Sequence, residues 1–310
     1  MANGATVAAP LARPLLSRRA RELMTGYLYL VPVVVVLAGT ILFPILKAAH
    51  MSLYNHVLIK PQEYRYVGLA NYARLLHDGV FWLSLWNSVL WVFGSVSLQF
   101  LGGFAAALVL HQSFRGRAVI RTITLLPWII PGIVVALIWE FIYQPNYGLL
   151  NDLLGRMGLM TERVAWLSSP ALAMPAVIAT NVWRGVPFFA IMLLAGLQAI
   201  PTDLYEAARV DGASVVQRFR HITIPMLRPI IVVATATRIV WTFNYADLIF
   251  VMTGGGPANA TQITSTYTLL QAYSNLDFGY AATLSVALLL IMLAFTMFYL
   301  RITRGLESVS

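Results

Sequence analysis

Long apolar stretches, interrupted by short polar segments, make up most of this chain. The stretches with at most two charged residues lie between Glu22 and Lys47, Asp78 and Arg115, Arg121 and Glu140, Arg163 and Asp203, Arg228 and Asp277, and Asp277 and Arg301. A helix needs about 20 apolar residues to cross the hydrocarbon core of a membrane, whereas a strand of a membrane barrel needs only about 10. The pattern therefore predicts six transmembrane helices, near residues 24–49, 82–110, 119–143, 171–199, 228–252 and 279–301.

The composition supports this prediction. Of the 310 residues, 59% are hydrophobic and only 11% are charged, and the mean hydropathy is +0.74. Soluble proteins carry about 25% charged residues, so this chain lacks the polar side chains that would cover a soluble surface. The fold class is an all-α polytopic membrane protein. Cysteine is absent, which excludes disulfides and thiolate metal sites.

The basic residues predict the orientation of the chain. If both termini lie on one side, that side holds 13 arginines, and the opposite loops hold five basic residues. The positive-inside rule then places both termini in the cytoplasm. We expect cytoplasmic tails over 1–23 and 305–310 and a membrane domain over 24–304. Because the arginines lie at helix ends and form no continuous stripe, the net charge of +9 does not indicate nucleic-acid binding.

A polar loop over residues 201–225 joins the fourth and fifth predicted helices. Thr202 and Asp203 are candidate N-caps of a short helix, and Glu206 follows Asp203 at the spacing of a capping box. Gly212 is expected to end this helix, since glycine readily adopts the left-handed conformation of a helix stop. The orientation places the loop in the cytoplasm. A structured polar loop in so apolar a chain indicates a surface that another protein binds.

Several polar side chains fall within the apolar stretches: Glu140, Asn181, Arg184, Arg238, Asn244 and Asp247. Arg238 lies roughly 15 Å from the cytoplasmic start of its helix, and a charge at that depth costs at least about 2.5 kcal/mol. One interpretation is an internal ion pair between one of the two arginines and one of the two carboxylates. The other, which we favour for Arg238 and Asn181, is a water-filled pathway.

The fifth predicted helix combines aromatic, hydroxyl and amide side chains at Trp241, Thr242, Asn244 and Tyr245. This combination suits a sugar, whose C–H face packs on an aromatic ring while its hydroxyls need hydrogen-bond partners. Ordinary packing between helices is the alternative interpretation.

The sequence lacks the motifs of the common catalytic sites. Neither lysine, Lys47 or Lys60, follows a glycine, so the phosphate-binding loop of ATP-hydrolysing enzymes is excluded. There is no glycine-x-serine-x-glycine nucleophile motif, and no helical pair of histidines faces a common metal. We therefore expect neither an enzyme nor a metal site.

The polar loop resembles the EAA loop of bacterial ABC importer permeases, in particular those of the carbohydrate-uptake branch. The matching residues are Glu206-Ala207-Ala208-Arg209-Val210-Asp211-Gly212-Ala213, Phe219 and Ile222-Thr223-Ile224-Pro225. The one departure is Ile224, where leucine is common. Shorter matches occur at Val67-Gly68-Leu69-Ala70-Asn71-Tyr72, Leu126-Pro127-Trp128, Gly196-Leu197-Gln198-Ala199-Ile200-Pro201 and Gly254-Gly255-Gly256-Pro257. The resemblance spans residues 24–304.

The resemblance implies a type I ABC importer permease fold and two kinds of site. The loop would form a coupling helix that docks on an ATP-hydrolysing subunit, with the coupling residues Glu206, Ala207, Ala208, Asp211 and Gly212. The helices on either side of the loop would supply the substrate-pathway residues Asn181, Gly185, Phe188, Arg238, Thr242 and Tyr245. Asn181 and Gly185 keep the residue types of the maltose permease, whereas Arg238, Thr242 and Tyr245 depart from them.

The resemblance also implies the partners. They are a second, unlike permease subunit, two ATP-binding subunits that hold ATP and Mg, an extracytoplasmic solute-binding protein and the lipid of a bacterial inner membrane. The chain itself would bind no cofactor, and it would form half of a pathway for a sugar or sugar-like solute. The alternative is a secondary transporter driven by an ion gradient, with Asp247 or Glu140 as the proton site. A structural membrane protein without a substrate is a third possibility.

Overall fold

The computed structural model of the chain describes residues 18–307 and divides at His50–Met51 into two units. Of the predicted cytoplasmic tails, residues 1–17 and 308–310 lie outside the described residues. In the first unit, α1 (Arg18–Leu37) continues through a π-helical turn into α2 (Phe43–Met51). The continuous stretch Gly26–Met51 is long and apolar enough to span a membrane, as predicted for residues 24–49.

The described part of the second unit is mainly helical, with one short pair of antiparallel strands and an isolated β-bridge between Val57 and Asp277. In chain order, its elements are β1 (Tyr54–Asn55), β2 (Arg65–Tyr66), α3 (Ala70–His77), α4 (Gly79–His111), α5 (Arg117–Ile129), α6 (Gly132–Ile142), α7 (Leu149–Arg156), α8 (Pro170–Ala199), α9 (Thr202–Val210), α10 (Val215–Arg218), α11 (Ile224–Phe243), α12 (Asp247–Met252), α13 (Thr264–Leu269) and α14 (Phe278–Glu307). A 3₁₀ turn precedes β2, and π-helical turns join α10 to α11 and follow α13. The all-helical fold class is confirmed.

Five helical stretches of the described chain can each span a membrane, and a bent pair makes a sixth if it counts as one span. The prediction of one helix over 119–143 is therefore wrong in detail, because α5 and α6 meet at an angle of 96°. Pro131 causes the break, since proline has no amide hydrogen to donate and pushes the preceding residue out of the helical region. Ile130 accordingly has an extended backbone, with ψ 131°.

The centre of the second unit is formed by α4 and α8, which pack along most of their length, with α11 against both. Gly103 of α4 allows this close approach: a Cβ there would overlap the Phe189 side chain and lie 2.9 Å from the Ala190 amide nitrogen. Gly196 of α8 plays the same part toward α11, where a Cβ would lie 2.6 Å from Leu227 and Ile230. Small residues at such contacts are typical of helices that associate in membranes, because burial from lipid provides little driving force there.

A polar cluster at the start of α4 joins this helix to α13 and α14. Asp78 caps α4 by accepting hydrogen bonds from the Val80 and Phe81 amides, at 2.9 and 3.3 Å. Its second oxygen accepts the Tyr267 and Tyr280 hydroxyls, at 2.7 and 2.5 Å. Burial alone would raise the pKa of Asp78, but these hydrogen bonds outweigh it and lower the pKa below 3.8. Burial and the bond to Asp78 raise the pKa of Tyr267 to about 12.

Candidate functional site

The polar loop 201–225 folds as a helix, a turn and a second helix. Its first helix, α9, begins at Thr202, and the N-cap is Pro201, with no side-chain cap. The predicted cap by Thr202 or Asp203 is therefore wrong. Both residues already have helical backbones, so their side chains are too far along the helix to accept a bond as the N-cap residue does.

The helix α9 stops at Gly212, as predicted. Gly212 has a φ of 77°, the Ala213 amide donates to the Ala208 carbonyl at 2.8 Å, and the Gly212 amide donates to the Arg209 carbonyl at 3.1 Å. These bonds form a Schellman motif, which satisfies carbonyls at the end of a helix. Glycine suits the position because the left-handed conformation is costly for other L-residues.

The second helix of the loop starts with a capping box and is braced against the rest of the unit. Ser214 accepts from the Gln217 amide at 3.3 Å, and the Gln217 side chain accepts from the Ser214 amide at 2.7 Å. The Tyr205 hydroxyl is 2.9 Å from the Thr223 hydroxyl, which ties α9 to the helix that returns into the membrane domain. The Phe219 ring contacts the Phe104 ring of α4, with centroids 5.7 Å apart.

The loop presents an apolar patch that the sequence reasoning missed. Val210, Val215 and Val216 have exposed fractions of 88%, 72% and 73%. The predicted coupling residues Glu206, Ala207, Asp211 and Gly212 are exposed beside this valine patch, and Ala208 is half-buried. Exposed apolar residues that lie close together in the sequence of a polar loop are typical of a protein-binding surface. Valines within an otherwise polar loop were the signal in the sequence.

A second cluster lies at the contact of α4, α8 and α11, and it contains most of the predicted pathway residues. Asn181, Gly185 and Phe188 share one face of α8. Arg238 and Thr242 share one face of α11. All five residues are buried. Arg238 lies over the Phe188 ring, with its guanidinium carbon 5.9 Å from the ring centroid.

Gln99 of α4 connects these two helix faces, and the sequence reasoning did not identify it. Its side-chain oxygen accepts a hydrogen bond from Arg238 Nε at 2.6 Å, and its side-chain nitrogen donates to the Asn181 carbonyl at 2.9 Å. A Cβ at Gly185 would overlap both the Gln99 amide and Arg238 Nη2. Glycine is therefore required at position 185 for this pair to lie against α8. The only signal for Gln99 in the sequence was an amide side chain within an apolar stretch.

Several polar atoms of this cluster have no hydrogen-bond partner within the described chain. They are both amide atoms of the Asn181 side chain and the hydroxyl oxygen of Thr242. A buried polar group without a partner costs about 1–3 kcal/mol. The backbone nearby is satisfied, because Trp91 Nε1 donates to the Thr242 carbonyl at 2.9 Å. Unpaired side chains next to a satisfied backbone leave hydrogen-bonding capacity free for a ligand.

The ion-pair interpretation of the membrane arginines is wrong. Across residues 18–307, the ion pairs involve neither Arg184 nor Arg238. Arg184 instead lies over the Tyr245 ring, with its guanidinium carbon 5.0 Å from the centroid. Tyr245 is half-buried, and its hydroxyl lies against Gly132, at the start of α6 beyond the bend. The Tyr245 hydroxyl has no hydrogen-bond partner within the described chain, so it is not bonded to the Gln99 cluster, the name used below for Gln99, Asn181, Gly185, Phe188, Arg238 and Thr242.

Helices long and apolar enough to span a membrane, a structured polar loop between two of them and a buried polar cluster are typical of an integral membrane protein of the transport class. Comparison with known proteins identifies the family. Residues 99–308 match the family described as the binding-protein-dependent transport system inner membrane component, and the chain belongs to it. The predicted family of ABC importer permeases is confirmed.

Relatives and solved structures agree with this family. The chain is 41% identical to the trehalose/maltose transport system permease protein MalF of Thermococcus litoralis, over 92% of this chain and 95% of that protein. It is 35% identical to the sulfoquinovosyl glycerol transport system permease protein SmoG of Agrobacterium fabrum, over 91% of each. A crystal structure of a bacterial ABC transporter that imports the acidic polysaccharide alginate shares the fold, with a TM-score of 0.80 at 22% identity over 93% of this chain and 98% of that chain.

Proposed function

We propose that this chain forms half of the translocation pathway of an ABC importer for a sugar or sugar-like solute. The observation that carries the proposal is the Gln99 cluster: unpaired hydrogen-bonding groups of Asn181 and Thr242 beside the Arg238 cation, which makes no ion pair within residues 18–307. Such groups suit a solute rich in oxygen atoms. The relatives named for trehalose and maltose and for sulfoquinovosyl glycerol support the same class of substrate.

An aromatic surface beside the cluster supports a sugar. The Phe188 ring contacts two exposed tryptophans, with centroids 6.4 Å from Trp128 and 5.5 Å from Trp241. Aromatic faces pack well against the C–H face of a sugar ring, and the neighbouring polar groups bind its hydroxyls. In this proposal Asn181 and Arg238 bind solute oxygens, and Phe188, Thr242 and Tyr245 line the same path. Gly185 lets Gln99 and Arg238 lie against α8.

The valine patch and the coupling residues support a role for the loop in binding an ATP-hydrolysing subunit. The exposed face of α9 carries Glu206 and the small side chain of Ala207, which lets a partner approach closely. The Schellman motif at Gly212 and the Tyr205–Thr223 bond hold this face in a fixed orientation relative to α11. A displacement of the loop is thereby transmitted to α11, the helix that carries Arg238. Importers need such coupling between two conformational states.

The complete transporter in this proposal has a second, unlike permease, two ATPases that hold ATP and Mg, and an extracytoplasmic binding protein. Both termini and the loop lie in the cytoplasm, and the chain resides in the inner membrane of a bacterium. The positive-inside distribution of arginines supports this orientation.

The test is uptake by the purified complete transporter in proteoliposomes, with its binding protein and ATP. Radiolabelled trehalose, maltose and sulfoquinovosyl glycerol serve as probes. We expect uptake of at least one probe that requires ATP and is abolished by vanadate. Uptake that resists vanadate and stops only with an uncoupler would show an ion-driven transporter and refute the proposal.

A further inference from the structure

Gln99 connects three helices from a fully buried position. It is fully buried in α4, and it is bonded at the same time to α8 through the Asn181 carbonyl and to α11 through Arg238. The bond to Arg238 is short, at 2.6 Å, and it uses Nε, the nitrogen nearest the aliphatic part of the arginine side chain. Gln99 therefore fixes the direction of the guanidinium group.

The remaining donors of Arg238 are free. Within the described chain, Nη1 and Nη2 make no hydrogen bond, and no carboxylate pairs with the guanidinium. Gly185 leaves the space that the guanidinium edge occupies, since a Cβ there would overlap Nη2. A planar guanidinium with a free edge can donate two parallel hydrogen bonds to a pair of oxygens.

A neutral acceptor is essential to this arrangement. The Gln99 amide holds Arg238 Nε without neutralising the positive charge, whereas a carboxylate at the same position would pair with the guanidinium and occupy it. The unpaired atoms of Asn181 and Thr242 add a donor and acceptors next to the cation. The cluster as a whole presents hydrogen-bonding groups to a compact ligand with several oxygens.

We propose that Gln99 is a positioning residue that presents the free edge of Arg238 to paired oxygens of the transported solute. The inference rests on the proposed function. The paired oxygens belong either to neighbouring hydroxyls of a neutral sugar or to an anionic group such as a sulfonate. Both share the chemistry that a fixed guanidinium recognises, and the experiment separates them.

The experiment compares the variants Gln99→Glu and Gln99→Leu in the complete reconstituted transporter, with trehalose as the neutral probe and sulfoquinovosyl glycerol as the anionic one. For Gln99→Glu we expect KM to rise about tenfold with kcat changed less than about twofold, because the carboxylate occupies the guanidinium. The melting temperature should fall less than in Gln99→Leu, because glutamate keeps the bond to Arg238 and loses only the donation to the Asn181 backbone carbonyl. Gln99→Leu should raise KM and also lower the melting temperature. A larger rise for the sulfonated probe shows that an anionic group is bound, and an equal rise shows hydroxyl pairs.

Ser95→Ala is the matched control, because Ser95 lies one turn away on α4, is fully buried and has an unpaired hydroxyl. It should leave KM unchanged. A wild-type KM in Gln99→Glu, while the wild type transports a probe, would overturn the inference and leave the proposed function intact. If the wild type takes up none of trehalose, maltose and sulfoquinovosyl glycerol in the presence of ATP, the proposed function fails, and the inference fails with it.

Discussion

Replacing Gly212 tests whether the shape of the polar loop couples it to transport. Gly212 has a φ of 77°, and an added Cβ would meet no atom within 4 Å. Any effect must therefore come from the backbone, because no steric clash is available to cause it. The left-handed conformation costs an L-residue about 1–2 kcal/mol, and less for asparagine, which adopts it more readily. A shift of that size reduces the population of the capped loop roughly 5- to 30-fold.

The amount of solute transported per ATP hydrolysed should therefore be highest in Gly212→Asn, lower in Gly212→Ala and lowest in Gly212→Val. The assay measures solute transported per ATP hydrolysed in proteoliposomes, with membrane abundance and recovery of the ATPase subunit measured in parallel. All three variants should insert normally, since Gly212 lies outside the stretches that can span a membrane. The transporter that contains Gly212→Val should hydrolyse ATP with little transport, or it should lose its ATPase subunit during purification.

Gly158→Val provides the matched control. Gly158 has a φ of 71° and the same open surroundings, but it follows α7, in a different loop. The two substitutions carry the same backbone cost, so only their location differs. If Gly212→Val and Gly212→Asn couple equally well, or if Gly158→Val uncouples as strongly, the reasoning about the Schellman motif is refuted.

Three further predictions concern single contacts. Asp78→Ala should destabilise the protein by about 2–4 kcal/mol and Asp78→Asn by less, because alanine removes the helix cap and leaves two tyrosine hydroxyls without an acceptor. Since the folded pKa of Asp78 is lowered, its stabilisation is present above pH 3.8 and is lost as the pH falls through the folded value. Melting curves should show the wild type losing this advantage over Asp78→Ala at low pH, and a constant difference would contradict the prediction. Gly103→Leu should abolish accumulation of the protein in the membrane, whereas Gly79→Leu, at an open position of the same helix, should not. Equal immunoblot signals from the two variants would argue against close packing at Gly103. Tyr205→Phe should lower the transport-to-ATPase ratio modestly, through loss of about 1 kcal/mol of bonding to Thr223, and an unchanged ratio would show that this bond does not brace the loop.

The sequence by itself determined the membrane class, the approximate helices and the polar loop. Charge-free runs long enough to cross a membrane have few alternatives, because the backbone must satisfy its hydrogen bonds internally in lipid. The stop at Gly212 was predictable for a similar reason, since a single residue type readily adopts the conformation that the Schellman motif needs. These features depend on interactions that are local in the chain.

Only the tertiary structure decided the content of the buried polar site. The sequence left two interpretations of Arg238, a water-filled pathway and an ion pair with a carboxylate, and neither identified its partner Gln99, which lies 139 positions away in the chain. Likewise, the need for glycine at position 185 arises from side chains of two other helices. Helical periodicity predicts which residues share a face, but it does not predict which faces meet. That choice depends on how closely α4, α8 and α11 approach, and therefore on packing between residues that are distant in sequence.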